Sequence, residues 1–315
     1  MNGADMIGAA WGWQGLRRGL AAGMAAVSLT LAGCTSPAPL PVVERAPAGA
    51  APGPALWRVA DADTTIYLFG TVHALPQGTQ WFDPRVERAF ASSDELVTEV
   101  DLSTIGSSGL SLKGAGMLPA GQSLRALMTP EAREAFEAAM VGLGLPVEAF
   151  DTMEPWLAAM SLTLLPVVRA GYQADSGVEA ALGSRAEGKR RSGLERIEDQ
   201  IALFDTMPMP AQLAYLEQAV AQTGRGAMAL DAMVGEWLAG DAEDLAALIN
   251  AEMIDPELHE RLLTRRNSNW ADWISGRLQQ PGTVFVAVGA GHLAGADSVQ
   301  DQLRARGFEV TRIWQ

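Results

Sequence analysis

The chain has one cysteine, Cys34, and therefore cannot form an intramolecular disulfide. Its stability has to come from a packed core. Histidine is nearly as scarce: His73, His259 and His292 are the only three, so any imidazole chemistry draws on a very small set. Basic residues are outnumbered by acidic ones, and the formal net charge is −14. Such a surface repels phosphate backbones and argues against nucleic acid as a partner. The apolar run near the N-terminus, Leu20 to Leu31, is shorter than the roughly 20 residues of a membrane-crossing helix. There is no internal repeat of fixed period and no two-carboxylate glycosidase signature.

That short apolar run has a different use. Arg17 and Arg18 precede it, and Leu31-Ala32-Gly33-Cys34 follows it. Positive charge, a short apolar core and small residues before a cysteine make a lipoprotein export signal. The expectation is that residues 1–33 are removed and that Cys34 becomes the lipid-modified first residue. More than one acyl chain on that cysteine gives a stable membrane anchor. Thr35 is not an aspartate, which points to the outer membrane, facing the periplasm. Residues 34–54 are rich in Pro, Ala and Gly and form a tether. Residues 55–315 are then the folded domain, long enough for a substantial core.

The domain begins with strand-like segments, Leu56-Trp57-Arg58-Val59 and Thr65 to Gly70, flanking an Asp61-Ala62-Asp63 turn. Asp83-Pro84 is a helix start, and Glu95 to Val100 is a further strand. From about 120 to 280 the apolar spacing is helical, with Pro130, Pro155 and Pro256 at helix starts and Pro166 placed to kink a helix. Thr283 to Val288 is a continuous apolar, β-branched run, the pattern of a strand buried on both faces. Asp297 with Gln300 resembles a capping box, Gly307 ends that helix, and Phe308 to Ile313 alternates as a last strand. The predicted fold is α/β, a sheet built from N- and C-terminal strands with a large helical insertion between them, because neither strand set is large enough to make a core alone.

Two of the three histidines share a local pattern. Gly70-Thr71-Val72-His73 and Gly289-Ala290-Gly291-His292 each follow a predicted strand. Ligands of open α/β sheets sit at the carboxyl ends of strands, and glycine lets the backbone turn there and approach a ligand closely. Glu99 and Asp101 end a third strand and share a face by alternation. Two imidazoles and a carboxylate suit a divalent metal such as zinc, manganese, cobalt or iron, and metal-assisted hydrolysis is the default chemistry of such a set. Asp101 fits a turn cap better than a ligand. His259, after Asp255-Pro256, fits a solvated or capping residue. Trp156, Trp237, Trp270 and Trp273 fall at helical positions and are assigned to the core. Lys189-Arg190-Arg191 is read as a solvated turn.

Together with Leu194-Glu195, Asp199-Gln200, Arg266-Asn267 and Trp270, these segments resemble the TraB/PrgY/GumN family over roughly residues 55–315. That family is similar to the Tiki proteases, which are membrane-tethered and metal-dependent, and more distantly to the erythromycin esterase and haem-binding ChaN group. The resemblance implies that His73, His292 and Glu99 form a metal cluster, with Glu99 as third ligand or general base. It also implies that Arg266 and Asn267 line the site and that Glu195 reaches it. Arg266 would stabilise an oxyanion or form a structural salt bridge; Asn267 would orient a ligand or cap a helix turn. Two functions follow as expectations. One is a metal-dependent hydrolase, a peptidase, acting on peptides or small molecules in the envelope. The other is a non-catalytic lipoprotein that holds a ligand such as haem or assists polysaccharide export.

Overall fold

A computed structural model of the protein describes residues 53–101, 103, 114–251 and 256–314. The expected signal peptide, Cys34 and nearly all of the tether lie outside them. The predicted hairpin is present: β1 (Leu56–Ala60) and β2 (Thr64–Thr71) pair antiparallel. Asp61 closes its turn, accepting through Oδ1 from the backbone N–H groups of Asp63 and Thr64. A short β3 (Leu75–Pro76) leads to α1 (Pro84–Ala91). Asp83 caps that helix by accepting from the N–H groups of Arg85 and Val86, and Pro84 fills the first turn, where no N–H is needed. The strand β4 (Glu95–Thr98) follows.

The inserted region is mostly helical. It contains α2 (Pro130–Gly142), capped by Thr129, then α3 (Pro155–Arg169), which continues past Pro166. After β5 (Tyr172–Gln173) come α4 (Val178–Arg185) and β6 (Arg190–Gly193). Then follow α5 (Ile197–Asp205), α6 (Met209–Gln222), α7 (Gly226–Ala239) and α8 (Ala242–Ala251). The short α9 (Pro256–His259) passes through a π-helical turn, Glu260–Thr264, into α10 (Arg265–Arg277). The chain ends with β7 (Gly282–Gly289), a 3₁₀ turn at Ala290–Leu293, α11 (Val299–Ala305) and β8 (Val310–Arg312).

The main sheet has the order β6-β4-β7-β2-β1-β8. β6, β4, β7 and β2 are parallel neighbours, and β1 runs antiparallel to both β2 and β8. The two ends of the described domain thus share one sheet, with C-terminal β7 seated between N-terminal β2 and β4. Two local expectations are corrected. Arg190 and Arg191 are not a turn but part of the edge strand β6. Charged, exposed side chains are what a sheet edge tolerates, so the strand has no hydrophobic signature. The helix near the C-terminus is capped by Ser298, which accepts from the Asp301 N–H, and not by an Asp297–Gln300 box. Asp297 itself adopts φ 60°, a left-handed conformation unusual for a residue other than glycine.

β7 explains why the sequence around it is unbroken apolar. Its Phe285 and Ala287 pack on one side with Phe69, Leu96, Phe90 and the inserted helices. Val284, Val286 and Val288 pack on the other side with Ile66, Leu68, Val97 and the faces of α10 and α11. Phe285 is fully buried, with ring centroids of Phe90 at 5.3 Å and Phe69 at 5.7 Å. Phe285→Ala is therefore expected to cost about 3–5 kcal/mol in urea unfolding. A loss below about 1 kcal/mol would show that the core at this strand collapses to fill the gap.

Candidate functional site

The carboxyl ends of β2, β4 and β7 lie side by side in the parallel part of the sheet. Because the strands are parallel, the residues just beyond those ends converge: His73 after β2, Glu99 after β4 and His292 after β7. All three are buried. The glycines of the two matching segments have separate uses. A methyl group at Gly70 would sit 3.0 Å from the Cα of Ala290, so its absence lets the 3₁₀ turn carrying His292 press against β2. A methyl group at Gly289 would lie 3.0 Å from Glu99 Oε1, 3.5 Å from His73 Nε2 and 3.5 Å from His292 Cδ2. Gly289 thus keeps open the space that the three side chains face.

Hydrogen bonds fix the orientation of His292. The Nδ2 of Asn267 donates to the Asp297 carbonyl at 2.8 Å, which leaves its Oδ1 to accept from His292 Nδ1 at 2.6 Å. The Nδ1 therefore carries the proton, and Nε2 presents a lone pair. Burial, and then the neighbouring Arg266 charge, hold the His292 imidazolium well below the ordinary histidine range, so the ring is neutral. The unusual backbone of Asp297 turns its carbonyl to Asn267. Asn267 is thus a support for His292, not a helix cap.

His73 is oriented in a similar way. Its Nδ1 lies 2.6 Å from Glu179 Oε1, and the Thr71 hydroxyl donates to the same carboxylate oxygen. Burial acts to raise the Glu179 pKa, but His73 and Thr71 outweigh it and the net shift is downward.

Arg266 occupies the middle of the site. Its Nη2 donates to Glu99 Oε2 at 2.7 Å and to Glu195 Oε2 at 2.9 Å, and its Nε donates to Glu195 Oε1 at 2.8 Å. Nη1 donates to the Leu262 carbonyl at 3.0 Å and stands 3.0 Å from His292 Nε2. The guanidinium has no acceptor capacity, so His292 Nε2 is the acceptor in that contact. Burial opposes the charge, but Glu99 and Glu195 more than offset it and the Arg266 pKa is raised. Gln200 donates to both carboxylates at 3.0 Å, and Trp270 Nε1 donates to Glu195 Oε1 at 3.0 Å. The Trp270 ring lies 4.3 Å from the His292 ring and 4.8 Å from the Arg266 guanidinium carbon. Glu99 uses its other oxygen to accept the Gly289 N–H at 2.7 Å.

The six residues expected at the site, His73, His292, Glu99, Glu195, Arg266 and Asn267, therefore meet around one space. Glu179, Gln200 and Trp270 join them without having been assigned there. Gln200 and Trp270 stood among the segments compared with the family; Glu179 carries no local signal. Asp101 caps a turn, accepting through Oδ1 from the Ser103 N–H and hydroxyl. His259 stands apart, half-buried in α9 and 3.2 Å from the Thr264 hydroxyl, with burial lowering its pKa.

The donors fit a divalent metal in type and orientation: each histidine has its Nδ1 engaged by an oxygen, an arrangement typical of metal-bound imidazoles. They are more widely spaced than a ligated set. The one group of three histidine, cysteine or carboxylate ligand atoms mutually within 4.8 Å among the described residues is Glu236, Asp241 and Asp244, a largely exposed acidic cluster that includes none of these donors. His292 Nε2 and Glu99 Oε1 are 3.9 Å apart.

The model of the TraB/PrgY/gumN family matches residues 55–312. The chain belongs to this family. Uncharacterized protein YbaP of Escherichia coli (strain K12) is 26% identical over 240 residues, spanning 76% of this chain and 87% of that protein. Metalloprotease TIKI1 of Danio rerio is 26% identical over 309 residues, which span 81% of this chain and 62% of the relative. Metalloprotease TIKI2 of the same organism is 26% identical over 302 residues, 78% of this chain and 57% of the relative. No solved structure matches the chain. The Tiki-like resemblance of the motifs thus holds for this TraB/PrgY/gumN member at the level of the whole domain.

Arg266→Met is expected to destabilise this family member by about 3–5 kcal/mol in urea unfolding, because Glu99 and Glu195 would be left buried without their counter-charge. Arg266→Lys should recover only part of that loss, since a single ammonium cannot donate in the same fork. Full recovery by lysine would mean that charge alone, and not the geometry of the guanidinium, holds the two carboxylates.

Proposed function

We propose that this protein is a metal-dependent hydrolase that cleaves peptide bonds, held at the cell envelope by lipid on Cys34. The observation that carries the reading is the convergence of His73, His292 and Glu99 around Gly289, with both imidazoles fixed through Nδ1 and turned inward by Nε2. Two relatives bear the name metalloprotease, which supports a hydrolase and, within that class, a peptidase. His73, His292 and Glu99 would hold the ion; zinc, manganese, cobalt and iron all accept such ligands. A divalent cation held by these residues would supply Lewis acidity toward a carbonyl and would acidify a bound water.

The chain's own residues take the remaining parts. Where it does not itself ligate the ion, Glu99, whose Oε1 faces the space at Gly289, is the candidate proton acceptor. Gln200 and Arg266 hold its second oxygen and so fix its direction. Glu195 accepts from Arg266 and is itself held by the Trp270 Nε1 donor. Arg266 Nη1 has to leave His292 Nε2 before that nitrogen can act as a ligand, and once released it is placed to meet a developing oxyanion. The lipobox at Leu31 to Cys34, with Thr35 after it, supports an outer-membrane anchor facing the periplasm, and the substrate class is a peptide or small molecule found there. The closed Arg266–His292 contact is the one observation favouring the alternative, a ligand-binding lipoprotein without turnover.

Metal analysis of the mature chain, purified without chelator beside His73→Ala and His292→Ala, tests the proposal. The expected result is about one divalent ion per chain, lost in both variants, with turnover of a peptide library that chelator abolishes and metal restores. Metal retained at full occupancy in either variant would overturn the ligand assignment. A loaded protein that turns over no peptide would leave the binding reading.

A further inference from the structure

Glu179 enters the site from the helical insertion, at the second residue of α4, more than a hundred residues from His73 in the chain. The start of α4 is docked directly on the segment that carries the histidine. The Val178 N–H donates to the Val72 carbonyl at 3.0 Å. Gly177 makes this approach possible: a methyl group there would lie 2.1 Å from the His73 carbonyl oxygen. The Glu179 carboxylate, on a side chain only 12% exposed, then reaches His73 Nδ1 at 2.6 Å and receives the Thr71 hydroxyl.

We propose that Glu179 is the positioning residue of His73, fixing the proton on Nδ1 and turning Nε2 into the space around Gly289. An ionised carboxylate can only accept, so the nitrogen facing it at 2.6 Å has to donate. A free neutral imidazole has both tautomers open to it. Here the contact selects the one whose lone pair is on Nε2, the atom 3.5 Å from the position of a Gly289 methyl group. Asn267 makes the same choice for His292 with a neutral amide. The two histidines are thus supported unequally: His73 by a charge from the insertion, His292 by an amide from α10. A carboxylate on the far nitrogen makes an imidazole a stronger electron donor than an amide does. His73 is accordingly the stronger ligand of the pair, and the insertion, through α4, sets the quality of the site. This rests on the metal-hydrolase reading for its consequence, but not for the proton position itself.

The test uses the full chain in detergent, labelled with ¹⁵N-histidine; three histidines give a spectrum simple enough to assign with His73→Gln. In metal-free protein, at a pH where the ring is neutral, the expected state of His73 is Nδ1 protonated and Nε2 unprotonated. In Glu179→Leu the proton redistributes toward Nε2, and affinity for Co²⁺ or Zn²⁺ falls about 10–100-fold. Glu179→Gln keeps an acceptor and is expected to hold the tautomer while losing at least about threefold in affinity. An unchanged tautomer and affinity in folded Glu179→Leu would overturn the proposal. So would a wild-type His73 with its proton on Nε2, a result that needs no variant to fold. If Glu179→Leu does not fold, Glu179→Gln with unaltered affinity overturns the charge-based part. If the wild-type chain binds neither ion, the metal reading fails, and the tautomer comparison alone decides the role of Glu179.

Discussion

The site depends on one buried cation. Arg266 is nearly inaccessible to solvent, yet it carries full charge because Glu99 and Glu195 flank it and the Leu262 carbonyl and His292 take its remaining donors. Two carboxylates could not be packed this close in a dry interior without it. Glu99 comes from the end of β4, Glu195 from the segment after β6, His292 from the turn after β7 and Arg266 from α10. A single guanidinium therefore ties three strand ends to a helix, and its fork geometry sets the angles at which they meet. The π-helical turn before α10 belongs to the same arrangement, since Leu262, whose carbonyl accepts from Arg266, lies within it. Such turns recur at functional sites because they shift the register of the helix that follows.

The sheet does the rest of the positioning. Four adjacent parallel strands end at one rim, so any residue just past an end is near the residues past the others. Hydrophobic burial on both faces of β7 makes that rim rigid. The insertion is more than a cover: it supplies Glu179, Gln200, Glu195 and, with the segment leading into α10, Arg266 itself. Among the described residues no helix is long and apolar enough to cross a membrane.

Much of this was legible in sequence. The two G-x-x-H segments and the acidic residue between them mark strand ends because glycine and histidine follow apolar β-branched runs. Asp83-Pro84 and Thr129-Pro130 mark helix starts because capping is local chemistry. Three features were not legible. The edge strand Arg190–Gly193 lacks a buried face and so lacks alternation. The cap of α11 moved from Asp297 to Ser298 because Asp297 takes a left-handed conformation that gives its carbonyl to Asn267, a partner in another helix. Glu179 has no motif at all, since its importance lies in what α4 touches.

The sequence by itself determined the kinds of side chain available, the strand ends on which they sit, the family, and the order of the buried strands and the capped helices along the chain. Those are consequences of local backbone preference and apolar periodicity, which act over a few residues. Only the tertiary structure decided which nitrogen of His73 and of His292 is engaged by an acceptor, that Arg266 closes on His292 and both carboxylates, and that Glu179 stands behind His73. Those depend on contacts between segments tens to hundreds of residues apart, where a hydrogen bond is made or lost by a fraction of an ångström and no local pattern records the outcome.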